Sequence, residues 1–384
     1  MPNVYEPNLT IISGIGPDSS GTGTLIRGLV QEGSTDATTV FVHKRARGRH
    51  PVKLARYYLN RAMFPWLVRR AAKKGGEVLV FHPQTLGARL FQSIMDARES
   101  VWLYVLDASP FCVRSYNCLP AESAPCLRCL GNDGRSAQAY GCKDSFRAGP
   151  IQRQMSEWVR SGRLRLIAQC ESQAALLRTH YGQETSVVVV PLSVPDISPP
   201  LAELVRPKRA RPLVVYHGAP SHAKGLAHVI TLAEKMPDLD FLVPSSRNEV
   251  QSHFQVVDSL PANLILKAMN WGSGLAEEVS RADAVLCPSS WSSPVEGAVL
   301  KSLAHNGLVG LYVHESSFAA EIPAAASFCV EPDNMDATVE RLRHLLAHPL
   351  EAEAIRKAAR LFIAGYRTKN ASMLRQLRAA CGAS

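Results

Sequence analysis

Apolar and polar positions along the chain alternate in blocks of two kinds. Short, nearly continuous apolar runs occur at Leu9–Ser13, Thr39–His43, Glu77–His82, Val101–Asp107, Leu164–Ala168 and Ser186–Pro191. Between them lie segments with helical spacing, such as Thr24–Val30. Apolar runs without strict alternation suit strands covered on both faces, as in a parallel sheet. Helices between such strands make βαβ units. The pattern breaks at Ser193–Pro212, where prolines and charges crowd without apolar periodicity, which predicts a linker between domains. A second series follows, with strands at Leu213–His217, Asp240–Pro244, Asn263–Lys267, Ala284–Pro288, Gly307–Tyr312 and Ser327–Val330. In Ala223–Met236, Leu226, Val229, Ile230, Ala233 and Met236 share one helical face. The tail, Ala352–Ala380, is helical and amphipathic.

The predicted fold class is α/β, with two Rossmann-like domains facing across a cleft. Residues 1–198 would form the first domain, carrying a cysteine-rich insertion at about 112–146. Residues 206–365 would form the second, and a helix at 366–384 would pack back toward the first. A length of 384 residues suits two cores of ordinary size.

Two strand–loop–helix elements of the second half carry candidate chemistry. The first is His217-Gly218-Ala219-Pro220-Ser221-His222-Ala223-Lys224-Gly225. A helix N-terminus offers free N–H groups and the positive end of a dipole, which together bind phosphate. Lys224 in a first helical turn would oppose that dipole by a few tenths of a kcal/mol, a cost that a bound diphosphate would reverse. A solvated lysine on an amphipathic helix is the plain alternative. The second element runs from Pro288-Ser289-Ser290-Trp291 to Glu296-Gly297 and into Leu303. Glu296 at a helix start is either a capping carboxylate or a ligand-binding one.

The pair resembles the donor domain of the family-4 type of retaining glycosyltransferases, which have the GT-B architecture. That family has a glycine, a basic residue and Lys-Gly in the first loop. Its second loop has Pro-Ser, then Glu-Gly, then a further glutamate eight residues on. Gly218, Lys224, Gly225, Pro288, Ser289, Glu296 and Gly297 match. The resemblance implies transfer of a sugar from a nucleotide-diphosphate sugar to a glycan or lipid-linked acceptor with retention, in cell-surface polysaccharide or glycoconjugate synthesis. It implies no organic cofactor, Lys224 on the diphosphate, and Glu296 on the hydroxyls of the transferred sugar. Ala219 stands where the family usually has arginine, and Ala304 where it has the second glutamate. Either Lys301, Ser302 or His305 takes over part of the nucleotide, or donor binding has been lost. The alternatives to an active transferase are a weak or inactive binding scaffold and a nucleotide-sugar epimerase.

In the first half, Gly14-Ile-Gly-Pro-Asp-Ser-Ser-Gly21-Thr22-Gly23 follows the first strand. Ser19 stands where a dinucleotide fingerprint needs its third glycine, and no acidic residue ends the second strand. The resemblance instead places Gly21, Thr22 and Gly23 on the acceptor side, with His82 as a catalytic and acceptor-binding residue. His82 and Asp107 end strands, and strand C-terminal ends are where ligands bind in such folds. A hydrogen-bonded strand-end residue is the plain reading of each.

Cys118, Cys126, Cys129 and Cys142 lie in one irregular segment whose spacing suits a structural zinc site. An iron–sulfur centre or ordinary reduced thiols are the other readings. Nine cysteines, an odd count, argue against a full disulfide framework. The opening Met-Pro-Asn-Val-Tyr-Glu lacks the segments of a signal peptide, and no apolar run approaches transmembrane length. The expected location is cytoplasmic.

The formal charge of +10 is concentrated: Lys44–Lys74 holds eleven Lys or Arg and no Asp or Glu. Tyr57, Tyr58, Phe64, Trp66 and Leu67 are interleaved with these cations. The mixture suits an anionic membrane surface. No motif reads bases, so nucleic acid is not the expected partner. A solvated helical hairpin with aromatics in the core is the alternative. Pro65 predicts two helices there rather than one.

Overall fold

The computed structural model describes residues 9–17, 20–32, 37–41, 51–73, 76–119, 122, 124–142, 151–198, 209–254 and 260–382, without the side chains of 37–41, 51–54, 56–57 and 60–61. Residues 42–50 and 74 of the basic stretch, Asp18 and Ser19 of the first glycine loop, 143–146 of the cysteine segment and 199–208 of the expected linker lie outside them. The elements are β1 (Leu9–Ser13), α1 (Gly21–Glu32), β2 (Ala37–Phe41), α2 (Pro51–Ala72), β3 (Glu77–Phe81), α3 (Pro83–Leu86), α4 (Ala88–Asp96), β4 (Val101–Tyr104), α5 (Ile151–Arg160), β5 (Leu164–Ala168), α6 (Glu171–Tyr181) and β6 (Val187–Val189). They continue as β7 (Leu213–Tyr216), α7 (Leu226–Lys235), β8 (Asp240–Val243), α8 (Arg247–His253), β9 (Leu264–Leu266), α9 (Leu275–Arg281), β10 (Ala284–Cys287), α10 (Gly297–His305), β11 (Val309–Leu311), β12 (Phe328–Cys329), α11 (Met335–Ala347), α12 (Pro349–Lys369) and α13 (Met373–Gly382).

The chain forms two compact units. The first comprises Met1–Tyr116, Leu127–Ser193 and Asn370–Ser384; the second comprises Asn117–Cys126 and Val194–Lys369. The cysteine-rich segment, expected wholly in the first domain, is thus divided, and residues 117–126 belong to the second unit. The helical tail is interrupted at 370–372, where α12 of the second unit gives way to α13 of the first.

The first unit holds a six-stranded parallel sheet in the order β2-β1-β3-β4-β5-β6. Alternate residues of β3 serve its two faces. Val78 and Val80 pack with Phe64 and Val68 of α2, Phe91 and Ile94 of α4, and Met155 and Trp158 of α5. Leu79 and Phe81 pack with Leu25, Ile26 and Leu29 of α1 and with Leu374 and Leu377 of α13. Both faces are dry, which is why the strands read as continuous apolar runs. α2 runs unbroken through Pro65, against the expectation of two helices. One proline removes a single backbone hydrogen bond, and the buried contacts of Phe64, Val68, Ala71 and Ala72 hold the turns around it.

The second unit holds another six-stranded parallel sheet, β12-β11-β10-β7-β8-β9. Val214 and Tyr216, Phe241 and Val243 face a core completed by Leu226, Val229 and Ala233 of α7, Leu342 and Leu345 of α11, and Ile355 of α12. In each sheet the strand order reverses beside the unit's first strand. The reversal lies between β1 and β3 in the first unit and between β7 and β10 in the second. Crevices at such reversals are where open α/β sheets bind ligands.

Candidate donor site

The two motif loops of the second unit leave the neighbouring strands β7 and β10, at that reversal. Gly225 joins them. Its φ of +75° is left-handed, and a Cβ there would collide with the Pro288 carbonyl, so only glycine permits the approach. Ser290 N donates to Ala223 O at 2.9 Å, and His228 Nε2 pairs with Ser290 Oγ at 2.8 Å. The phenol of Tyr216, buried at the end of β7, donates toward Ala219 O at 2.6 Å and Lys224 O at 3.1 Å and so fixes the shape of the first loop. Gly218 leaves room for that phenol, which a Cβ would approach within 2.6 Å.

Lys224 does not lie in the first turn of α7, as the spacing predicts. It ends a short 3₁₀ turn, His222–Lys224, and α7 begins at Leu226. This frees its side chain to reach the second loop, where Nζ meets Glu296 Oε2 at 2.7 Å and stands 4.9 Å from the Trp291 ring centroid. Glu296 occupies the N-cap position of α10 but makes no side-chain capping bond, so the capping reading fails. Burial opposes its ionisation. The Lys224 ammonium and its hydrogen bond, with smaller help from Ser289 and Ser293, outweigh that and hold the carboxyl below the usual range. Oε1 of Glu296 is buried without a hydrogen-bond partner. Gly297 follows as the first residue of α10.

Ser289, Ser290, Ser292 and Ser293 are all buried, and a buried polar loop needs internal partners. Asn117, fully buried, supplies several. Its Oδ1 accepts from Ser292 N at 3.0 Å, and its Nδ2 donates to Ser292 Oγ at 2.8 Å and toward Cys126 O at 3.2 Å. Ser292 Oγ also pairs with Ser316 Oγ at 2.7 Å, and His314 Nδ1 with Ser316 Oγ at 3.0 Å. Burial lowers the His314 pKa to about 4, so the ring is neutral beside the site.

A second cluster surrounds α10. His217 stacks on Trp271, with centroids 5.2 Å apart and planes 8° from parallel, and its Nδ1 pairs with Ser302 Oγ at 2.9 Å. Burial, aided by the charge of Lys301, lowers its pKa to about 3. Lys301 Nζ lies 4.7 Å from the Trp271 centroid and 3.5 Å from Asp196 Oδ2, and His305 Nε2 meets Asp196 O at 2.9 Å. Ala304 is buried on the same helix. Tyr216, Trp271, His314 and Asn117 border the two loops and lie outside the motifs, and His217 and Trp291 lie inside them without an assigned role. Strand-end position was a signal for His217, but no spacing connects Asn117 or Trp271 to these loops.

The first unit has a parallel arrangement at its own reversal. The loop after β1 comes close against α3, and a Cβ on Gly14 would collide there with the Thr85 hydroxyl. Gly21, Thr22 and Gly23 form the first turn of α1, where Ser20 Oγ accepts from Gly23 N at 3.1 Å. His82 adopts a left-handed backbone (φ 53°) and its Nδ1 pairs with Thr85 Oγ1 at 3.0 Å. Asp107 accepts from Gln84 Nε2 at 2.9 and 2.7 Å and from Ser109 N at 2.9 Å. Burial raises its pKa, against the opposing influence of His82. Gln84 Oε1 is buried with no hydrogen-bond partner.

The zinc reading gains no support. Among the described residues no group of three or more His, Cys, Asp or Glu is disposed to hold a metal ion. Cys118 and Cys126 belong to the second unit, whereas Cys129 and Cys142 belong to the first and pack there with Val113 and Ala137. Cys142, Cys287, Cys329 and Cys381 are free thiols. No described helix is long and apolar enough to cross a membrane.

Neither a protein-family model nor a curated protein matches the sequence. Solved structures do. Sucrose-phosphate synthase from Thermosynechococcus elongatus superposes with a TM-score of 0.68 at 13% identity, over 98% of this chain and 100% of that one. The Anabaena protein HepE in complex with UDP gives 0.65 at 10%, over 98% and 100%. A trehalose-phosphate synthase (UDP-forming) from Burkholderia xenovorans, in complex with glucose-6-phosphate, gives 0.57 at 13%, over 96% and 98%. The fold is that of the GT-B glycosyltransferases.

Proposed function

We propose that the protein is a glycosyltransferase that takes a sugar from a nucleotide-diphosphate donor held by the second unit and passes it, with retention, to a glycan hydroxyl bound by the first. The observation that carries this reading is the Lys224–Glu296 pair at the strand-order reversal, with Glu296 Oε1 buried and unpartnered. A carboxylate oxygen of that kind accepts a hydrogen bond from a sugar hydroxyl, and the ammonium beside it donates to a diphosphate oxygen. Gly218 and Gly225 let the loop backbone come close, and Ser289 and Gly297 border the carboxylate. In place of the arginine and second glutamate missing at Ala219 and Ala304, Trp271 offers a stacking surface and Lys301 a charge for the nucleoside end. The UDP in the HepE complex makes uridine nucleotides the first donors to test.

Such a reaction needs positioning and charge stabilisation more than a protein nucleophile. The bond from the anomeric carbon to the diphosphate breaks while the acceptor oxygen bonds to the same face. The acceptor proton passes to a departing phosphate oxygen, and Lys224 offsets the charge that develops there. On the acceptor side, Asp107, Gln84 Oε1 and His82 supply the hydrogen-bonding groups, with Gly21, Thr22 and Gly23 at the mouth of α1. A panel of nucleotide sugars, read by thermal shift and then by NMR of the product's anomeric configuration, tests the reading. A ligand at 100 times its dissociation constant adds about 2.7 kcal/mol of stability. A panel without a stabilising member would leave a scaffold protein, and an inverted product would remove retention.

A further inference from the structure

We infer that the outward face of α2 is a docking surface for an anionic lipid bilayer. The helix is apolar on two opposite sides. Phe64, Val68, Ala71 and Ala72 enter the core of the first unit. On the other side Tyr58, Leu59, Met63, Trp66 and Leu67 are 53%, 61%, 43%, 54% and 38% exposed. At 100° per residue these five project within one half of the helix circumference, opposite the buried four. They are five of the thirteen exposed large apolar side chains among the described residues, gathered within ten positions. Single exposed apolar residues are ordinary, but a contiguous patch marks an interaction surface.

Charge decides what the surface fits. Exposed Arg69, Arg70 and Lys73 continue the same face past Trp66, and the Arg70 guanidinium lies 5.3 Å from the Trp66 ring centroid. The stretch 44–74 contributes no acidic residue. Cations beside an exposed tryptophan, a tyrosine and flexible aliphatic chains match the boundary between lipid headgroups and acyl chains. From Tyr58 to Lys73 the face is about 23 Å long, so the helix lies in the plane of the surface and does not cross it. A protein partner would need matching acidic side chains, and a nucleic acid would gain nothing from Leu59 and Met63. An acceptor carried in such a membrane would then be presented to the first unit, although the docking itself does not depend on the transferase reading.

Flotation of the full chain tests the inference. Vesicles of phosphatidylcholine alone are compared with vesicles containing phosphatidylglycerol, at about 0.1 M and about 1 M salt, where the screening length falls from about 10 to about 3 Å. Binding is expected only with the anionic lipid, and weaker at high salt. The Leu59→Glu/Trp66→Glu and Arg69→Glu/Arg70→Glu double variants are each expected to lose about tenfold or more in partitioning. Far-UV circular dichroism and an unchanged melting temperature show that the fold survives. No flotation with anionic vesicles, equal flotation with neutral ones, or undiminished binding by the Leu59/Trp66 variant would overturn it. Displacement of wild type by duplex DNA combined with full binding by that variant would reassign the face to a polyanion.

Discussion

Replacing Lys224 with methionine keeps a chain of similar length against Trp291 and removes only the ammonium. Glu296 is then a buried carboxylate without its cation. Losing one partner of a buried pair costs about 3–5 kcal/mol. Protonation sets a ceiling, because a carboxyl of ordinary pKa 4.5 can take up a proton instead of staying charged. At pH 7 that costs about 3.4 kcal/mol, and at pH 5.5 about 1.4. The sign follows from linkage. In the variant the folded pKa of Glu296 is raised, so between 4.5 and that raised value the folded state binds more protons than the unfolded one. The variant therefore loses stability, relative to wild type, as pH rises. Urea unfolding by circular dichroism at pH 5.5 and pH 7 should give a difference that grows by about 2 kcal/mol. Lys224→Met/Glu296→Gln should give a difference independent of pH. Equal destabilisation of Lys224→Met at both pH values, or destabilisation below about 0.5 kcal/mol, would show that the two side chains are not an interdependent buried pair.

Two further predictions come from groups that hold the structure. Burial lowers the His180 pKa to about 4, so the folded state favours the neutral ring while the unfolded chain takes up a proton near 6.5. Stability should fall as pH drops from 6.5 toward 4, by at most about 3 kcal/mol from this group, and a pH series of melts on His180→Gln should be correspondingly flatter. Asn117→Ala removes three hydrogen bonds within the second unit and leaves Ser292 N buried without its acceptor. It should cost about 1–3 kcal/mol by urea unfolding and weaken nucleotide binding by isothermal titration, whereas Asn117→Asp, which keeps the acceptor, should retain more of both.

What the residues alone determined is local or repetitive. Two series of doubly buried strands were legible because a parallel sheet covered on both faces needs unbroken apolar runs, and Leu79 and Val80 are core residues on whichever face they land. The loops that follow β7 and β10 were legible because glycine and proline punctuate strand ends, whereas the left-handed φ of Gly225 came only from the structure. The choice between a capping Glu296 and a ligand-binding one was not legible. It depends on where the Lys224 ammonium points, and that depends on a 3₁₀ turn displacing the start of α7 by three residues, from Ala223 to Leu226. Spacing grouped Cys118, Cys126, Cys129 and Cys142, but among the described residues no metal-holding cluster of three or more ligands forms. Asn117 buttresses a loop 175 positions away, and Trp271 stacks on His217 from a different strand's loop. The same limit applied to α2, where Phe64 and Trp66 look alike in sequence and only packing against the sheet decides that one is buried and the other faces out. Periodicity tells which side chains share a face, but only the closed tertiary structure tells which face is covered.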